Sequence, residues 1–187
     1  MKYFAVEDEL VLARGVSPSL GPWTVAEGVV LWKEDYKIEA RRGYVVEFEG
    51  DAPSLWVPSY PVHEGEGPDD DVLTLDPDSA IRAAVIATAD LSSVLTHDRV
   101  HRSVADQTIL AEGTDGSCQW TLHRGIVLWR EGDQIYALPG YIVSYRDGSV
   151  WTDSWPVDAD GQLIDDPSLY LDADVIAFAF GDLTPLL

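Results

Sequence analysis

The chain has 187 residues, 46% of them hydrophobic and seven of them Trp, with 33 acidic against 12 basic residues for a formal charge of −21. That apolar content is ample for a buried core and excludes a disordered polyelectrolyte. The charge excludes a basic stripe for nucleic acid or an anionic membrane and favours basic proteins and cations, over a screening length of roughly 10 Å.

The acid is no tail, because residues up to 97 carry 7 basic and 18 acidic side chains and the remainder carry 5 and 15. Asp outnumbers Glu two to one and Lys is scarce, a bias also found in salt-adapted chains, so solubility alone is the plain alternative reading of the acid. A single cysteine, Cys118, leaves no internal disulfide framework and suits a reducing compartment. The start, Met1 to Asp8, reaches acid too early for a signal peptide, and no apolar run approaches the ~20 residues of a membrane span. The expected location is cytoplasmic.

In chain order, the first motif is Glu7-Asp8-Glu9-Leu10-Val11-Leu12-Ala13-Arg14-Gly15, which returns 98 residues later as Ala105 to Gly113. A turn follows in each case, Val16 to Pro22 in the first and Thr114 to Gln119 in the second, the latter holding the Asp115-Gly116 pair of a tight turn. Gly28-Val29-Val30-Leu31-Trp32-Lys33-Glu34 then returns as Gly125-Ile126-Val127-Leu128-Trp129-Arg130-Glu131. Trp23-Thr24 matches Trp120-Thr121, and Gly43-Tyr44-Val45-Val46 matches Gly140-Tyr141-Ile142-Val143, all at a constant spacing of 97. The chain therefore reads as a tandem duplication.

The apolar run from Gly28 to Lys33 lacks helical spacing and reads as a strand, with Glu34-Asp35 or Gly132-Asp133 as the turn after it. Tyr36, Ile38 and Ala40 alternate with Lys37 and Glu39, a period of two that places one face inward. After Arg41-Arg42-Gly43 or Leu138-Pro139-Gly140 comes a third strand, and after Gly50-Asp51 or Asp147-Gly148 a fourth, carrying Trp56 or Trp151. Each copy is thus a β-meander. Both reach an aromatic-Pro-Val corner, Tyr60-Pro61-Val62 and Trp155-Pro156-Val157, and pass into acidic loops at 63–71 and 158–167.

Leu73-Thr74-Leu75-Asp76-Pro77-Asp78 and Leu169-Tyr170-Leu171-Asp172-Ala173-Asp174 follow. Asp76 suits a helix N-cap and Pro77 the first helical position, so a short helix is expected there, with Ile81, Ala84, Val85 and Thr88 on its packed face. Val175 to Phe180 is apolar on every side and fits either a buried helix or a last strand. Residues 89–103 join the copies, and Leu91, Val94, Leu95 and Val100 are apolar enough to pack. The expected fold is mainly β: two lobes, 1–96 and 97–187, each a small barrel or sandwich of about six strands closed by a short helix, related by pseudo-two-fold symmetry.

For chemistry, His97 and His101 have the spacing of a helical zinc pair, but Asp98 stands where a zincin needs a Glu and no third ligand follows, so a linker is the better reading. His63 and His123 stand alone in their copies. Asp158-Ala159-Asp160-Gly161 resembles the start of a calcium loop, yet EF-hand spacing would put Pro156 and Pro167 at ligand positions. An irregular cation site from Asp165, Asp166, Asp172 and Asp174, matched by Asp70, Asp71, Asp76 and Asp78, ranks below solvated loops and helix caps. Cys118 lies in a turn without a paired base, and no nucleophile elbow or phosphate-cradling loop is present. No catalytic, cofactor or metal residue is assigned.

Trp32 and Trp129, inside apolar strands, are expected in the core. Trp56, Trp151 and Trp155, near the acidic loops, are expected to be exposed enough to anchor a partner. The leading expectation is a non-catalytic inhibitor of the immunity, antitoxin or anti-defence kind, its carboxylates standing in for the phosphates that a basic partner binds. The expected contact residues are Glu64, Glu66, Asp69, Asp70, Asp71, Trp155, Asp158, Asp160, Asp165 and Asp166. The alternatives are a structural or assembly module acting through strand edges, and a metal- or small-ligand-binding protein using the repeated Leu-x-Leu-Asp-x-Asp segment.

Overall fold

The computed structural model describes residues 1–61, 80–145, 148–164 and 175–187. The chain divides into two compact units, Met1–Leu95 and Thr96–Leu187. Both are mainly β, and no helix among the described residues is long and apolar enough to cross a membrane.

The first unit is a closed barrel of β1 (Tyr3–Ser17), β2 (Gly21–Glu34), β3 (Lys37–Phe48), β4 (Leu55–Val57) and β5 (Ile81–Ala89), followed by α1 (Ser92–Thr96). β1, β2 and β3 form the expected meander, with Gly28 opposite Gly43 and Trp23 opposite Phe48. β5 closes the barrel by pairing antiparallel with β4 and parallel with the first six residues of β1, from Tyr3 to Asp8. Strand β1 is therefore flanked on both edges over that stretch, and Phe4, Ala5 and Val6 are all buried.

The second unit holds β6 (Arg102–Asp106), β7 (Ala111–Asp115), β8 (Cys118–Glu131), β9 (Gln134–Tyr145), β10 (Gly148–Thr152) and β11 (Ile176–Gly181). Its sheet runs β10-β9-β8-β6-β11, with β7 beside β8. Gly125 lies opposite Gly140 and Trp120 opposite Tyr145, and β11 runs parallel to β6. Two short strands, β6 and β7, lie where the first unit has the single long β1.

Among the described residues, each unit shows a pair of apolar clusters. Val30, Val45 and Trp56, with the part-buried Trp32, make one in the first unit, and Trp23, Val25, Val46 and Val57 make the other. In the second unit the groups are Val127, Ile142 and Trp151 with part-buried Trp129, and Trp120, Leu122, Val143 and Val157. Close approach explains the strand glycines. A Cβ on Gly43 would collide with the Trp56 ring and the Val57 carbonyl, and one on Gly140 with the Trp151 ring and the Thr152 carbonyl.

Several expectations are corrected. Residues 81–89 are strand, not helix: Ile81, Val85, Ile86 and Thr88 are β-branched, and pairing with both β1 and β4 outweighs a helical spacing of apolar residues. The expected cap at Asp76 and Pro77 lies outside the described residues. The short helix comes later, at α1, in the stretch read as a linker, where Leu91, Val94 and Leu95 are fully buried. Of the two readings of 175–180, the strand is observed.

Trp56 and Trp151 are not exposed anchors but core residues, 5% and 2% accessible, because each lies over a side-chain-free glycine on the neighbouring strand. Tyr36, expected inward with Ile38 and Ala40, sits in the β2–β3 turn at 82% exposure, while Ile38 is buried.

Candidate functional site

The corner residues carry the same aromatic contact in both units. Trp155 meets Tyr141 edge-on, with ring centroids 5.1 Å apart at 88°, and Tyr60 meets Tyr44 at 5.3 Å and 68°. Tyr141 and Tyr44 are strand residues packed against the cluster of Trp120 or Trp23. Trp155 and Tyr60 therefore stand on rigid supports, yet remain 43% and 40% exposed. Large aromatic surface, held in place and left in water, is what an interface anchor needs.

Beyond Trp155 the chain makes a tight loop from Pro156 to Ile164, pinned by a Val157–Leu163 bridge. Asp158 organises it: its Oδ1 accepts the backbone N–H groups of Asp160 and Gln162, both at 2.9 Å, while its carbonyl accepts Gly161 N–H at 3.0 Å. The Asp158 carboxylate is thus partly engaged by its own loop, an Asx turn. Asp160 is exposed as well. Of the expected contact residues, Trp155, Asp158 and Asp160 are brought together here. Glu64, Glu66, Asp69, Asp70, Asp71, Asp165 and Asp166 lie outside the described residues, as do Asp76, Asp78, Asp172 and Asp174 of the cation reading.

Among the described residues no group of three or more His, Cys, Asp or Glu is arranged to hold a metal. His97 Nδ1 is 2.8 Å from the Thr96 hydroxyl, whereas His101 lies 5.4 Å from the Trp129 ring, where burial pushes its pKa down. His123 is a buried core histidine: Nδ1–H donates to the Asp106 carbonyl at 2.8 Å, and Nε2 lies 3.0 Å from the Thr121 hydroxyl. Cys118 is exposed at the start of β8.

Buried carboxylates are what the sequence reading missed. Asp106 accepts the N–H of Thr108 on Oδ1 at 2.9 Å and that of Leu183 on Oδ2 at 2.8 Å. Burial alone would raise its pKa, but these bonds, the Thr108 hydroxyl and the Arg124 charge outweigh it and hold the group below the ordinary carboxylate value. Asp8 makes the same pair of bonds, to Leu10 N–H at 3.0 Å and to the N–H of Leu91. Its pKa moves the other way, through burial and then the charges of Asp90 and Glu27.

Beside it, Glu7 is buried and hydrogen-bonded to the side chain of Glu47, which in turn accepts the Ser54 hydroxyl at 3.5 Å. Two carboxylates have no donor between them, so a hydrogen bond within the pair requires a proton on one of them. Burial, followed by the Glu47 charge, pushes Glu7 up to about 7. The signal for the aspartate clamps was present in Ala89-Asp90-Leu91-Ser92 and Gly181-Asp182-Leu183-Thr184. In both, the Asp accepts the N–H two residues on, at 3.0 and 3.1 Å, and Leu91 or Leu183 begins a closing turn.

Comparison with protein-family models, curated proteins and solved structures returns no match to this chain.

Proposed function

We propose that this chain is a duplicated, non-catalytic binding protein whose acidic surface engages a basic protein partner, an inhibitor or neutralising protein of the immunity or antitoxin kind. The observation that carries the reading is the corner: an exposed aromatic braced edge-on by a strand tyrosine, followed at once by the exposed carboxylates of Asp158 and Asp160. An apolar anchor ringed by one sign of charge suits a partner of the opposite sign, which is steered in by the field and held by the ring. Duplication is supported by the shared spacing of strand registers, by the paired clusters and by the two aspartate clamps. It would present the corner twice, with Tyr60 as the first copy's anchor.

Tagged wild-type protein and a Trp155→Ala, Asp160→Lys variant, incubated with native lysate at low and moderate salt, test the proposal. Wild type should retain basic proteins at low salt and release them as salt rises, and the variant should retain far less. Identical retained sets would remove the corner from the account.

A further inference from the structure

β1 runs for 15 residues, but β5 covers its outer edge only as far as Asp8. From Leu10 to Ser17 it pairs with β2 alone, and no strand among the described residues takes the other edge. The exposed side chains there are mostly apolar, Leu10 being 64% exposed, Leu12 41% and Val16 66%, with Arg14 between the last two. Natural edge strands of this kind are normally short or guarded by charge, since their free N–H and C=O groups template another strand. The second unit obeys that rule. Its edge strand β7 has five residues, and where the first unit has Leu12, Arg14 and Val16 it has Leu110, Glu112 and Thr114.

We infer that the outer edge of β1 from Leu10 to Val16 is a strand-addition site for an extended cationic segment of a partner protein. Main-chain hydrogen bonds would extend the sheet, and alternate apolar side chains of the segment would cover Leu10, Leu12 and Val16. Charge chooses the occupant. Residues 1–95 carry a net charge of −11, and Glu9 is exposed on the strand just before the segment, against the single cation Arg14 within it. A second copy of the chain carries the same net charge and is repelled. The sign of the partner rests on the proposed function; the place of docking does not.

The probe is a capped synthetic peptide of about ten residues alternating Val and Lys, with an alternating Val and Glu peptide as its control. Hydrogen exchange should show the outward-facing amides between Val11 and Val16, those not donated to β2, open in the free protein and protected by the Val-Lys peptide, while the Val-Glu peptide protects nothing. Leu12→Lys with Val16→Lys, both at exposed positions, should weaken binding at least about tenfold, with Asp160→Lys changing it little. Four results overturn the inference: no binding of the Val-Lys peptide; binding that leaves these amides open; amides already protected by self-association as protein concentration rises; or binding abolished by Asp160→Lys and untouched by the edge variant. The last would leave the acidic corner standing as the binding site while removing the edge.

Discussion

Asp106 and Leu183 are joined by a hydrogen bond from the Leu183 N–H to Oδ2 of Asp106, 2.8 Å long and spanning 77 residues of chain. It ties the end of β6 to the turn that closes the second unit, and Asp8 with Leu91 does the same for the first. A buried carboxylate without these donors would be costly, and the donors without it would be orphaned.

Replacing Asp106 by Ala should therefore destabilise the second unit by roughly 2–3 kcal/mol, with Asp106→Asn intermediate, since charge-assisted bonds to backbone N–H are lost. Denaturant unfolding followed by exchange at amides of β6 and β11 checks this. An unchanged midpoint would mean that the turn is held by Leu183 and Leu186 packing alone.

The two units should respond oppositely to pH. Glu7, raised from 4.5 to about 7, keeps its proton in the folded first unit, so its contribution to that unit's stability is fully present below pH 4.5 and is lost as pH rises through about 7. Asp106 is held below its ordinary value, so its contribution is present above the unfolded pKa and is lost as pH falls through the folded one. The charged groups acting on Glu7 are Glu47 and, on its own strand, Asp8. Glu7→Gln should flatten the first unit's profile between about pH 4.5 and 7 and leave the second unit's unchanged. Unit-resolved hydrogen exchange across pH reads both, and a first unit equally stable at each end of that range would exclude the shared proton.

Trp56→Ala or Trp151→Ala should cost about 3–5 kcal/mol, as large buried aromatics do. Trp32→Ala and Trp129→Ala should cost less, because those rings are only part-buried. Trp155→Ala should barely move the unfolding midpoint. Midpoints ranked in the reverse order would mean that the strand faces are misassigned.

The meander was legible because its pairings are local: the spacing of Gly28, Trp32 and Gly43 repeats at Gly125, Trp129 and Gly140, and each turn carries its own residues. β5 and β11 were not, because each pairs parallel with a strand roughly 75 to 80 residues earlier, and Ile81, Ala84, Val85 and Thr88 suit one face of a helix as readily as a strand. Trp56 and Trp151 were misplaced for a related reason. Nearness to a polar loop says nothing about which face of a strand a ring takes, whereas the empty glycine opposite it does. The exposure of Trp155 and Asp160 was readable from their place beside a polar loop, but the engagement of Asp158 by its own loop depends on backbone geometry.

The most direct measurement is a titration of the most abundant basic protein retained by wild type, with its Kd determined across a salt series for wild type and for Trp155→Ala, Asp160→Lys. The account predicts that wild-type affinity falls steeply with salt, and that the variant binds at least about tenfold more weakly at low salt with a shallower slope. Equal affinity and equal slope for the two proteins would contradict it.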